Sequence, residues 1–194
     1  MERASREEAE LIARQIGRAP RGEVTVARRC PHGYPQVLRV PPWIDGAPFP
    51  TLYWLSCPFL VRAVAAIEAD GWVARLEHRL AEDPLLRADL ERAHAAYIAK
   101  RSSLLHGAGN LTAAEQERRR QLAVRGIGGI ADRSRLKCLH LHVAHALAGR
   151  NPIGDLVLGQ LTDLACEREK AICSSLGERG ADRGSTDRKP DPLS

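Results

Sequence analysis

Apolar residues first recur at helical spacing in SREEAELIARQIG, where Leu11, Ile12 and Ile16 share one stripe. Ser5 and Glu8 stand in capping-box spacing ahead of it and Gly17 follows it, which predicts a short helix inside residues 1–20. The pattern then changes. Val24, Thr25 and Val26 in RGEVTVARRC predict a strand, and PQVLRVPP predicts a second that ends at Pro41 and Pro42. Between them CPHGYP is a rigid turn, stiffened by Pro31 and Pro35 and relieved by Gly33. WIDGAPFP reads as a loop and TLYWLSC as mixed apolar sequence.

Helical spacing returns at Pro58, a residue favoured at the first helical position, with Leu60, Val61, Val64 and Ile67 on one stripe. Further helical segments are WVARLEHRLAEDP, then LLRADLERAHAAYIAKRSSLL up to a break at HGAGN, then TAAEQERRRQLAVRG with Thr112 and Glu115 in capping-box spacing. After GIGGI come RSRLKCLHLHVAHALAG and a long segment running from the cap Asn151 to Gly177. The expected fold is α+β: a small N-terminal antiparallel sheet packed on four or five helices. Its divisions are an N-terminal helix at 1–20, a single α+β domain at 21–176 and a disordered polar tail at 177–194, where little is left to bury.

Charge adds little. The net charge is +5, but acidic and basic residues alternate along the helical segments and read as solvated faces. The mild positive charge neither calls for a nucleic-acid partner nor rules one out, no nucleic-acid motif is present, and no partner is named by the sequence. The charged start MERASREEAE shows no signal-peptide pattern, so none is expected, and no run approaches the roughly 18 apolar residues of a membrane span. A cytoplasmic chain without membrane contact is the expectation. Five cysteines is an odd count, which in a reducing compartment points to thiols or metal ligands rather than a disulfide framework.

The chemistry-bearing residues concentrate in KCLHLHVAH. At about 100° per residue, Cys138, His142 and His145 fall within about 60° of one another, while His140 falls at the far edge of the Leu136, Leu139, Val143 and Leu147 stripe. Thiolate and imidazole one turn apart suit zinc, and thiolates alone suit an iron–sulfur cluster. Cys57 precedes the proline-started helix, where the dipole and free amides are expected to lower its pKa. Cys30 sits on the Pro/Gly turn with His32. The expected metal ligands are therefore Cys30, Cys57, Cys138 and His140, with zinc or an iron–sulfur cluster as the cofactor. His142 and His145 are the expected catalytic residues, moving protons near neutral pH. Cys30, Cys57 and Cys138 are expected to converge on one site. Cys166 and Cys173, seven apart on one amphipathic helix, are expected to be packed or simply exposed. A metal-free thiol enzyme and a non-enzymatic binding protein are the alternatives. GIGGI matches neither dinucleotide nor Walker spacing and reads as a hinge or a close helix contact.

CPHGYPQVLRVPP, PFPTLYWLSCPFLVRAVAAIEADG, GIGGI and KCLHLHVAHALAGRNPIGDLV, taken together, resemble the bacterial family called domain of unknown function 501, over about Val26 to Val157. The resemblance implies a cytoplasmic bacterial protein, often encoded near a septum-formation initiator and an exopolyphosphatase, hence a link to cell division or polyphosphate metabolism. It implies no activity. The family's motifs fall on Cys30, Gly33, Tyr34, Pro35, Cys57, Pro58, Gly126, Gly128, Gly129, Lys137, Cys138, His140, His142 and His145. They do not include Cys166 or Cys173, and His32 has no assigned place among them.

Overall fold

The computed structural model describes residues 4–105, 112–168 and 171–178. Helix α1 (Arg6–Ile16) forms where its cap predicts: the Ser5 hydroxyl accepts from the Glu8 amide, and Gly17 closes the helix in the left-handed region. Strands β1 (Thr25–Arg29) and β2 (Pro35–Arg39) pair antiparallel across the CPHGYP turn, from Thr25 opposite Arg39 to Arg29 opposite Pro35, with irregularities around Arg28. The expected loop at WIDGAPFP instead holds a two-residue hairpin, β3 (Trp43–Ile44) and β4 (Ala47–Pro48). Asp45 and Gly46 supply the two positive-φ positions such a turn needs. TLYWLSC supplies β5 (Tyr53–Leu55), which pairs with the free edge of β2 and completes the three-stranded sheet β1-β2-β5.

Successive residues of a strand face opposite sides, and both sides of β2 are covered. Leu38 packs with Ile12 of α1, Val24, Val40 and Ile44. Val37 packs on the other side with Leu55, Leu60, Leu139 and Val143. Each such fully buried aliphatic side chain stabilises the fold by about 1.5–3 kcal/mol relative to exposure.

The α+β class is therefore present, with more helices than the four or five expected. Helices α2 (Pro58–Ala69), α3 (Trp72–Glu82), α4 (Pro84–Ser103), α5 (Ala113–Val124), α6 (Leu139–Ala148), α7 (Pro152–Leu158) and α8 (Ile172–Glu178) follow the sheet among the described residues. The expected helix from Asn151 to Gly177 breaks into α7 and α8. Two side chains from the sheet region hold the intervening segment: Gln36 donates to the Leu164 carbonyl and His32 contacts the Cys166 carbonyl. Of the expected disordered tail at 177–194, residues 177 and 178 instead end α8, and the rest lies outside the described residues.

GIGGI forms a single tight turn (Ile127–Gly129) that serves packing. Gly128 is at φ +64°, and a Cβ there would run into Leu141. The fully buried Arg101 ties this turn to α4 by donating to the carbonyls of Pro50, Leu122, Arg125 and Gly126. Among the described residues no helix is long and apolar enough to cross a membrane.

Candidate metal centre

Helix α2 sets the scale of the site. Pro58 starts it, Cys57 caps it, and Leu60 and Val64 bury its inner face. Glu68 lies near its other end. Eleven positions separate Cys57 from Glu68, about 16 Å along the axis at 1.5 Å per residue.

Cys138 meets the far end. It is not inside a helix, as the wheel projection assumes, but is the extended N-cap of α6 with φ −155° and ψ 153°. The incoming chain is held extended because carboxylates of earlier helices accept its amides: Glu77 takes Leu136 N–H at 2.9 Å, and Glu68 takes Leu139 N–H. One residue into α6, His140 turns toward α2. Its Nδ1 lies 3.2 Å from Glu68 Oε1 and its Nε2 3.1 Å from the Val61 carbonyl oxygen. One ligand atom each from Glu68, Cys138 and His140 lies within 4.8 Å of the others. All three are half-buried, so the cluster keeps an open side. Hydrogen bonding to Cys138, and then to the Val61 carbonyl and the Glu68 charge, pushes the His140 pKa up to about 9 against the opposing effect of burial.

His142 and His145 turn the other way, into the core. Asn151 holds them both. Its Oδ1 accepts from Gly154 N–H at 2.9 Å and lies 3.2 Å from His142 Nδ1; its Nδ2 lies 3.2 Å from His145 Nδ1. Since the amide oxygen faces Gly154 and His142, His142 carries its proton on Nδ1, and His145 accepts at Nδ1 and carries its proton on Nε2. A Cβ on Gly154 would overlap the His142 carbonyl, so only glycine lets α7 approach closely enough for this clamp. His145 stacks on Tyr53 at 5.6 Å and meets Tyr97 edge-on at 5.0 Å. Burial drives both histidines down to about 4, with His94 adding to the fall. His145 and Asn151 also border a cavity of about 730 Å³ whose rim carries Arg92, Lys100, Arg150 and Asp155. The expected common face of Cys138, His142 and His145 is not formed, because Cys138 is outside the helical geometry that defines it. His140 and His142, two positions apart, point to faces about 160° apart around the helix.

The remaining cysteines gather at the other end of α2. Cys57 is 6% exposed, and its amide donates to the Gln36 carbonyl at 3.3 Å. Burial raises its pKa and outweighs the amides of Leu60 and Phe59, with the charges of Cys30 and Cys166 adding to the rise. The fall expected from a helix N-terminus is reversed because the thiol is inside. Cys173 is equally buried; burial raises its pKa too, Gln15 opposes, and Cys57, Cys30 and Cys166 are its electrostatic neighbours. Cys30 and Cys57 thus group with Cys166 and Cys173, while Cys138 and His140 stand with Glu68 at the far end of α2.

Sequence reasoning missed Glu68, which lies in IEADG with no local signal, and the double role of Asn151, which the sequence marks only as a helix cap. It also separated Cys166 and Cys173 from the other thiols. Their shared neighbourhood depends on side-chain contacts across more than a hundred positions.

A family model described as Protein of unknown function (DUF501) matches residues 26–159 of the chain. No curated protein and no solved structure matches it.

Proposed function

We propose, since this chain belongs to the DUF501 family and the family's description names no activity, a function read from the site: binding of one divalent transition-metal ion, best matched by zinc, at Glu68, Cys138 and His140. The observation that carries the proposal is the convergence of a carboxylate, a thiol and an imidazole within 4.8 Å from two distant parts of the chain. Zinc takes these three donor types. His140 also has the support a ligating histidine needs. Its Nε2–H donates to the Val61 carbonyl, which fixes the ring and leaves Nδ1 facing Glu68 and Cys138. A proton now shared between Nδ1 and the carboxylate occupies the place a cation would take. Three protein ligands with an open side leave a fourth position for water or a substrate oxygen, the arrangement of zinc sites that polarise what they bind. Cys30 and Cys57 are not part of this centre, and His142 and His145 face away from it.

Zinc titration by calorimetry tests this on the full chain carrying Cys166→Ser, which removes one thiol from the group at the other end of α2. One ion per chain is expected, with affinity rising from pH 6 to pH 8 as the bound proton is displaced more easily. Glu68→Gln, Cys138→Ser and His140→Gln should each weaken binding by about 10-fold or more. Equal affinity in all three variants would dismiss the site.

A further inference from the structure

Pro35 and Gln36, at the start of β2, are the hub around which four thiols collect. Cys30 follows β1, whose last residue Arg29 pairs with Pro35, and its amide donates to the Tyr34 carbonyl. Ser56 and Cys57 both donate their amides to the Gln36 carbonyl. The Gln36 side chain, itself 3% exposed, donates to Leu164 O at 2.8 Å, two residues before Cys166. His32, in the same turn as Cys30, lies 2.6 Å from Cys166 O. Gln15 Nε2 is 2.9 Å from Pro35 O and 3.2 Å from Cys173 Sγ. Five segments, from α1, the β1–β2 turn, the start of α2, the stretch after α7, and α8, thus bring their polar groups to one place, and four of them deliver a cysteine.

We propose that Cys30, Cys57, Cys166 and Cys173 together hold an iron–sulfur cluster, a second inorganic site independent of Glu68, Cys138 and His140. Four thiolates are the usual ligand set of such clusters. Cys57 lies within electrostatic reach of Cys30 and Cys166, and Cys173 within reach of all three, and a polynuclear core bridges thiols set wider than one ion can span. Two sulfurs bound to a single zinc at about 2.3 Å cannot stand more than about 4.6 Å apart. Among the described residues no three of these sulfurs lie within 4.8 Å of one another. Exposure also fits: Cys57 and Cys173 are buried and Cys30 and Cys166 half-buried, so one edge of the core would face solvent. The Gln15 N–H aimed at Cys173 Sγ is the kind of hydrogen bond that tunes a cluster's potential. On ligation each thiol gives its proton to solvent as its sulfur bonds to iron; iron and sulfide come from outside the chain.

The test is anaerobic reconstitution of the full chain with iron, sulfide and excess dithiothreitol, followed by desalting, visible absorption and iron and sulfide analysis. The wild-type chain should retain visible thiolate-to-iron absorption with about two or about four iron per chain and an equal amount of sulfide, the contents of the clusters that four cysteines hold. Cys30→Ser and Cys166→Ser, the two half-buried positions, should lose most of that absorption while melting, in the metal-free form, like the metal-free wild type. Cys138→Ser and Glu68→Gln should keep it, which separates this site from the zinc centre. Failure of the wild type to retain iron, full loading of both serine variants, or uptake of one zinc without sulfide at these thiols would each overturn the proposal.

Discussion

His140 and the pair His142–His145 are at most five positions apart on α6, yet they live in opposite electrical worlds. His140 reaches out to a carboxylate, a thiol and a backbone carbonyl at a half-open surface, and its proton is held up to about pH 9. His142 and His145 lie 2% and 6% exposed beside one neutral amide, and burial strips their protons down to about pH 4. Residue type and neighbourhood in sequence are nearly the same. What differs is which neighbours the helix phase selects: acceptors that welcome a cation on one side, a closed apolar core on the other. An imidazole's role is thus set by its face, and the LHLHVAH stretch contains both roles.

The largest test of that contrast is acid. The folded pKa of His142 and His145 is about 4 against an unfolded value near 6.5, so the folded state binds fewer protons between these limits. Their contribution is complete above pH 6.5 and is lost as pH falls toward 4, on the order of 3 kcal/mol for each. Urea unfolding from pH 7 to pH 4 should show this loss, and His145→Gln should make the curve shallower; an unchanged slope would break the comparison. Next in size is Asn151→Ala. It strands the His142 and Gly154 N–H groups in the core and should cost about 2–4 kcal/mol in the same assay at pH 7, without moving zinc affinity at Glu68, Cys138 and His140. A loss of zinc binding would show that the two sides are coupled. The smallest effect belongs to His140. Its pKa is raised, so its contribution is complete below pH 6.5 and is lost as pH climbs through about 9. Solvent reaching its ring, a quarter exposed, should screen that loss below the roughly 3 kcal/mol that the shift alone would set. His140→Gln should flatten this alkaline limb and leave the acid limb as it is.

Local elements were largely legible. The Ser5 and Thr112 caps, the proline-started helices at Pro58 and Pro152, and the two hairpin strands around CPHGYP all stand where period and capping put them. The site was legible only in pieces. Cys138 and His140 could be picked out by their clustering, but the wheel that joined Cys138 to His142 assumed the helix began too early. The amides that Glu68 and Glu77 accept decide that start, and both acceptors come from elements about sixty to seventy positions away. Cys166 was assigned to a helix for a similar reason: its apolar spacing is helical, but Gln36 and His32 hold the Leu164 and Cys166 carbonyls and draw the segment along the sheet.

The sequence by itself determined the α+β class, the strand–turn–strand start, the helix caps and the kinds of donor atom available, because these follow from side-chain chemistry and spacings within a few residues. Tertiary structure alone decided which donors meet. Two ends of one twelve-residue helix, α2, divide the cysteines into a group around Gln36 and a lone thiol beside Glu68, and the phase of α6 divides the histidines. Those divisions rest on contacts between residues far apart in the chain, and the energies that choose them, burial and the pairing of stranded amides, are set only when the core closes.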